Sequence, residues 1–531
     1  MTDTKKSTGK SRERNEAPHQ AAAENPKTIK KAKKLNRPIE FPRRSGILLH
    51  PTSFPGPEGI GTLGEEAYRF VDFLEAAGQK LWQILPVTPP GMGNAPYSSH
   101  SAFAGNTHLV SAASLVEEGL LEPADMEEKP SSPVSRVNYE GAASFKNAVF
   151  EKAWKRFLAQ ATPSQWEMYE DFCTIHACWL EDYSLYVSLK EQFDETAWCE
   201  WPAELAKREG AALKKWSKKL KGRMDEVMFS QFLFYTQWDR LKAYANGKGI
   251  DIIGDIPIFV NHDSADVWAF SRFFLLDKEG RLTEQSGVPP DPATGASQIW
   301  GHPLYNWKAM EKTGFEWWVD RFTVTFMLVD IIRIDHFCGF VKCWHIPNGA
   351  KTSSEGRWVD SPGLEIFRAV RKKLGRMPFI TEDLGAADCG PLLEETGFPG
   401  MRVLQYAFDN GPENPHLPHN HNRHTVVYTG THDNNTSIGW FRELAPETKE
   451  HALRYLGKEG GEINWGLVRA ALASVAQTAV VPLQDILGLG GKARMNVPGA
   501  HSGQWEWRYP PGSLTDEIAS RLRDISSLYG R

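Results

Sequence analysis

A chain of 531 residues, 41% hydrophobic and 24% charged, has the length and balance of a globular protein with a large buried core. A net charge of -5 gives no electrostatic case for nucleic acid as a partner. A mean hydropathy of -0.44, with no apolar run near the ~20 residues of a membrane helix, argues against a membrane-spanning protein. Six cysteines (Cys173, Cys178, Cys199, Cys338, Cys343 and Cys389) form no CxxC pair, a pattern that fits free thiols in a reducing cytosol. The N-terminus lacks the apolar stretch of a secretory signal, so a cytoplasmic location is expected.

In chain order, residues 1–40 carry Lys, Arg, Ala, Asn and Ser with almost no large apolar side chain before Ile39. Such a segment cannot bury enough surface to offset its ordering entropy, and a disordered basic tail is expected. Lys30–Lys34 is also compatible with a nucleic-acid arm or a transit peptide, but a solvated tail is the preferred reading. From residue 44 short apolar runs alternate with helical patterns. The runs are Gly46–His50, Leu81–Pro86, Ile250–Ile256, Phe326–Ile334, Pro378–Thr381, Met401–Ala407, Thr425–Tyr428 and Ala479–Leu483. Runs that are continuously apolar rather than alternating belong to parallel strands covered on both faces. Eight of them with intervening helices predict an α/β fold, a (β/α)8 TIM barrel over 44–531.

The spacing of the runs is uneven. Between strands 2 and 3, Phe145–Ala159, Gln165–Gln192 and Val227–Asn246 show 3.6-residue periodicity, which predicts a large mainly helical insertion over 110–248. Between strands 3 and 4 a long loop, 260–317, carries Gly287–Asp291 and Thr294–Gly295; an irregular excursion of that length is usually functional.

Active sites of such barrels lie at the C-terminal ends of the strands. Here those ends carry His50, Pro86, Asp255, Asp335, Glu382, Asp433 and Asp485. Clustered carboxylates repel one another, so their enrichment calls for a chemical reason. Glycosyl transfer supplies one, since it needs a nucleophile, an acid/base and negative charge facing an oxocarbenium-like transition state. Asp335 is the candidate nucleophile, because Arg333, two residues earlier, emerges on the same strand face and favours its ionised form. Glu382 is the candidate acid/base, with neighbouring carboxylates to raise its pKa. Asp433 and His432 are expected to meet sugar hydroxyls, and Asp255 adds a further contact. Taken singly, Arg333–His336 reads equally well as a surface ion pair and Glu382–Gly385 as a helix cap. Their joint occurrence in strand order favours the site. The 19 tryptophans offer flat faces on which sugar rings stack.

With these residues stand further stretches: His50–Pro55, Leu85–Gly91, Pro96–Ser98, Ser101–Asn106, Gly254–Val260, Asp263–Trp268, Gly287–Asp291, Trp300–Tyr305, Arg333–Phe337, Thr381–Gly385, Phe398–Met401, Thr429–Asn434, Pro482–Asp485 and Ala493–Gly499. In this order they resemble the 4-alpha-glucanotransferases of the amylomaltase (disproportionating enzyme) family, glycoside hydrolase family 77, from about residue 44 to the C-terminus. The resemblance implies a transferase of starch and glycogen metabolism that moves alpha-1,4-glucan segments between maltooligosaccharides with no cofactor or metal. It implies a retaining mechanism through a covalent glucosyl-enzyme, with Asp335 as nucleophile, Glu382 as acid/base and Asp433 as transition-state stabiliser. It places Tyr97, Asp255, Arg333 and His432 around the reacting glucose and Trp300 near the acceptor.

The chain departs from the family pattern where Cys338 replaces an Arg, Val341 an acidic residue and Asn435 a second Asp, and where Pro290–Gln298 lacks the usual aromatic pair. His416, His419, His421 and His424 lie in a Pro/Asn-rich loop without zinc-site spacing. Cys173 and Cys178 sit on a helical pattern and read as core. Gly488–Gly491 lacks the Lys-Ser/Thr of a nucleotide loop. Alternative readings are an amylase-like alpha-glucan hydrolase with the same carboxylates, and a catalytically silent glucan-binding protein.

Overall fold

The computed structural model describes residues 41–531 apart from 132, 291–296, 376, 458–460 and 501. The tail expected over 1–40 therefore lies outside the described residues. Eight parallel strands form one sheet: β1 (Arg44–Leu48), β2 (Leu81–Gln83), β3 (Asp251–Ile256), β4 (Ile331–Ile334), β5 (Phe379–Thr381), β6 (Gly400–Val403), β7 (Thr425–Tyr428) and β8 (Thr478–Pro482). Their order is β6-β7-β8-β1-β2-β3-β4-β5, so the sheet curls until β5 faces β6. Thr381 N donates to Pro399 O at 3.0 Å and Met401 N to Asp383 Oδ1 at 2.7 Å, which bridges that seam. The result is a (β/α)8 barrel, as the apolar runs predict.

Its outer helices follow from local sequence. In Glu65–Ala76 the buried Ala67, Phe70, Val71 and Leu74 share one face, and Glu65 and Glu66 complement the dipole of the first turn. Between β2 and β3 lie the helices Tyr139–Gln160, Pro163–Ile175, Leu180–Gln192 and Gly210–Gly247. Asp263, just after β3, ties this segment to the barrel: Lys190 Nζ and Tyr186 Oη donate to its carboxylate at 2.7 and 2.8 Å. A single apolar cluster runs from Ile47 and Val480 in the barrel to Phe157 and Phe229 in the helices.

Several boundaries differ from the sequence reading. Phe326–Leu328 is the last turn of the helix Glu316–Leu328, and the strand begins only at Ile331. A buried helix and a buried strand give the same unbroken apolar run. Met401–Ala407 stops being a strand at Val403 and turns into a 3-10 helix, Leu404–Tyr406. Gln165–Gln192 is two helices. The first starts on a capping box in which Thr162 and Gln165 bond reciprocally, with Pro163 at its first position. It ends at His176, close to Cys178, which is exposed rather than core. Val227–Asn246 is the apolar half of a 38-residue helix whose Lys-rich start gave no periodic signal. The excursion after β3 is not wholly irregular. Glu284–Val288 and Gln298–Pro303 pair as antiparallel strands and are joined by Lys342–Pro347 and Arg357–Asp360 in a second sheet. Within the expected excursion 260–317, residues 291–296 lie outside the described residues. No helix among the described residues is long and apolar enough to cross a membrane.

Candidate active site

Strand register brings the charges together. Asp255 on β3 is the cross-strand partner of Arg333 on β4, so their side chains emerge at one level of the barrel mouth. The next residues continue the ladder: Asp335 N donates to Ile256 O at 3.0 Å and Glu382 N to Ile334 O at 2.9 Å. Arg333 is buried at 3% exposure and serves three carboxylates. Its Nη1 pairs with Asp255 Oδ2 and lies 3.2 Å from Asp335 Oδ1, while Nη2 donates to Glu382 Oε2 at 2.6 Å. Immediately after Asp335 the chain turns through a left-handed residue, His336 (φ 49°), whose N–H meets Glu382 Oε2 at 3.2 Å.

The opposite wall is aromatic. Tyr97 Oη donates to Asp255 Oδ2 at 2.8 Å, and its ring stacks on His432 at 5.1 Å with 12° between planes. His432 Nε2 lies 3.3 Å from Asp433 Oδ2. Asp433 is held from the other side by Asn496 Nδ2 at 2.6 Å, and Arg494 donates to its carbonyl at 2.6 Å. Trp300, on the second sheet, stands edge-on to His336 at 4.9 Å. All eight residues singled out from the sequence thus gather around one mouth: Tyr97, Asp255, Trp300, Arg333, Asp335, Glu382, His432 and Asp433.

The electrostatics follow from burial around one cation. Burial works against the Arg333 charge, but Asp255, Glu382 and Asp335 outweigh it and keep the guanidinium fully protonated. Burial, with Asp255 beside it, holds the Tyr97 phenol neutral and able to donate. Burial and the Glu382 charge push Asp335 well above the ordinary carboxylate range. On Glu382 the upward push of burial is outweighed by Arg333, a hydrogen bond with Asp335 and the His336 N–H, which together bring it down to about 2. Two hydrogen-bonded carboxyls cannot both be anions, so the pair shares one proton, resting on Asp335 in this arrangement. This reverses the sequence reading of an ionised Asp335 and a raised Glu382, because Arg333 and the His336 N–H favour the Glu382 anion.

Some residues at the mouth carried no sequence signal. Trp505 packs against both Tyr97 (5.8 Å) and His432 (5.9 Å) from a loop more than 70 residues beyond Asp433. Asn496 and Arg494 lie in the quoted Ala493–Gly499 stretch, yet nothing in that stretch points to Asp433. His50, by contrast, is expected from the sequence at the end of the first strand; it is buried, and burial with the nearby His432 lowers its pKa to about 3. Asp485 is not part of the cluster. Its carboxylate accepts from Thr429 Oγ1 (2.6 Å) and from Ser437 N and Oγ (both 2.7 Å), which braces the loop after β7. The four loop histidines bond to protein: His416 to Val403 N, His419 to Tyr455, His421 to Ser474 and His424 to Gly397 O. Among the described residues no group of His, Cys, Asp and Glu is arranged to hold a metal ion.

Comparison with known proteins identifies the family and the fold. Residues 49–515 match the family model described as 4-alpha-glucanotransferase, glycoside hydrolase family 77. The 4-alpha-glucanotransferase of Synechocystis is 46% identical over 495 residues, which are 92% of this chain and 98% of that protein. The 4-alpha-glucanotransferase of Thermus thermophilus is 45% identical over 498 residues, 92% of this chain and 99% of that one. Among solved structures, an amylomaltase from Streptococcus agalactiae in complex with acarbose superposes with a TM-score of 0.89 at 39% identity, covering 92% of this chain and 99% of that chain. With a matching barrel, a matching family model and full-length relatives, the chain belongs to the 4-alpha-glucanotransferase family, glycoside hydrolase family 77, and is an enzyme.

Proposed function

We propose that the protein transfers alpha-1,4-glucan segments between maltooligosaccharides by a retaining, two-step mechanism on Asp335. The observation that carries this reading is the buried Arg333 joined to Asp255, Asp335 and Glu382 at the mouth of the barrel. The names of the relatives and the acarbose bound to the solved neighbour point the same way.

In the first step an Asp335 carboxylate oxygen attacks the anomeric carbon of the donor. The C1–O4 bond breaks, and Glu382 gives its proton to the departing O4. In the second step the 4-hydroxyl of an acceptor glucan attacks C1. Glu382 takes the hydroxyl proton and the ester to Asp335 breaks. Two inversions retain the α configuration. The shared proton must therefore pass from Asp335 to Glu382 as the donor enters, and the hydrogen bond between the two carboxyls is its path. Arg333 then keeps Asp335 anionic. Asp433, fixed by Asn496 and Arg494, faces the developing positive charge. Asp255 Oδ1 and His50 Nδ1 are buried and unpaired among the described residues, and sugar hydroxyls would satisfy both. Trp300 offers a ring face to the acceptor.

Incubation with maltotriose alone tests the reading. Transfer gives glucose and a ladder of longer maltodextrins; maltose and glucose alone would mean hydrolysis and overturn it. Asp335→Asn should cut turnover by several orders of magnitude while maltodextrin binding persists. Undiminished turnover would remove Asp335 from the nucleophile role.

A further inference from the structure

Two of the six cysteines meet beneath the candidate active site. Cys338 lies in the 3-10 turn Phe337–Phe340 directly after Asp335, and Cys389 follows Glu382 on the neighbouring loop. Both are buried, and their sulfurs are 2.7 Å apart. Cys343, by contrast, already donates to Gly339 O at 3.0 Å. The pair is unequal: the hydrogen bond between the two sulfurs draws the Cys389 thiol down from its ordinary pKa, and the same contact pushes Cys338 up. Cys389 is therefore the better nucleophile and Cys338 the reserve thiol. Cys389 also lies just under the surface, between the exposed Asp388 and Gly390.

We propose that Cys338 and Cys389 form a modification site, at which a peroxide oxidises the two thiols to an intramolecular disulfide that slows transfer. The Cys389 thiolate attacks one oxygen of hydrogen peroxide and the O–O bond breaks. The sulfur becomes a sulfenic acid and the other oxygen leaves as water after taking a proton. Cys338 then attacks that sulfur; the S–S bond forms, the S–O bond breaks, and the hydroxyl leaves as a second water with the Cys338 proton. Two thiols lose two electrons and one peroxide gains them. A thiol reductant reverses the change by exchange.

The consequence for rate rests on the roles proposed above for Asp335 and Glu382; the disulfide itself does not. A covalent bond draws the sulfurs closer than a thiol contact does. The two loops already share a backbone bond, Phe337 N to Glu382 O at 3.0 Å, so a shift at the sulfurs reaches both carboxylates. Small displacements of reacting groups cost rate steeply.

The test uses the full chain, reduced, freed of reductant and exposed to hydrogen peroxide. A peptide map without reductant should show the Cys338 peptide joined to the Cys389 peptide, lighter than their sum by two hydrogens. Maltotriose turnover should fall several-fold and recover with dithiothreitol. Cys389→Ala, and Cys389→Ser should the alanine variant fold poorly, should stay active and lose no rate to the same treatment. The proposal is overturned if both thiols remain open to alkylation, if the disulfide forms without loss of turnover, or if the Cys389 variants lose rate as the parent does. Failure of the Asp335 assignment is told apart, because it leaves the peptide map unchanged while Asp335→Asn stays active.

Discussion

Arg333 decides how the site holds charge. One guanidinium, buried among Asp255, Asp335 and Glu382, fixes where the shared proton rests and keeps three carboxylates from repelling one another. Under the proposed mechanism this sets the pH dependence of transfer, which then needs one proton on the Asp335–Glu382 pair. As pH falls, a second proton neutralises both groups and removes the nucleophile. As pH rises, loss of the last proton removes the acid. Glu382 is brought down to about 2, so the acid limb falls below the ordinary carboxylate value of about 4. Asp335 is pushed up, so the alkaline limb lies above that value. A pH profile of kcat/KM should thus be a broad bell with a plateau through weakly acidic conditions. Two limbs crowded around the ordinary carboxylate value would contradict the pairing. Arg333, Asp335 and Glu382 were legible in the sequence because buried parallel strands end abruptly in charged residues. Trp505 and Asn496 were not, since their place at the mouth depends on tertiary contacts that no local pattern encodes.

At the scale of elements, the seam between β5 and β6 positions Glu382. Asp383, the next residue, receives Met401 N at 2.7 Å and Arg402 Nη1 at 3.1 Å, so its carboxylate bridges the gap in the ladder. It packs directly on Gly400, where an added Cβ would lie 2.3 Å from Asp383 Oδ2. Gly400→Ala should therefore push Asp383 off the seam. Overpacking of this kind costs about 1–3 kcal/mol, readable as a lower urea midpoint. Because Glu382 moves with Asp383, kcat should fall more than KM rises; unchanged stability and kcat would refute the positioning role. The eight strands were readable as apolar runs, but their limits were blurred wherever an apolar helix abutted a strand, as at Phe326–Leu328. The second sheet escaped notice because Glu284–Val288 and Gln298–Pro303 are short, polar and stabilised by partners distant in sequence.

For the molecule as a whole, barrel and helical segment share one apolar core and are tied through Asp263. Neither side buries its apolar face without the other, so calorimetry should show a single unfolding transition. Two separated transitions would mean that the helices between β2 and β3 fold on their own. The same fold sets Asp335 and Glu382 just past the ends of adjacent strands, both on the Arg333 guanidinium, and the proposed mechanism runs through a covalent intermediate on Asp335. Trapping that intermediate tests the claim most directly. With Glu382→Ala and an α-maltosyl fluoride donor, whose fluoride leaves without acid help, the first step proceeds and the second stalls. Mass spectrometry of the digested protein should then find a maltosyl adduct on the peptide bearing Asp335. An adduct on another residue, or turnover of the donor with no adduct, would contradict the mechanism.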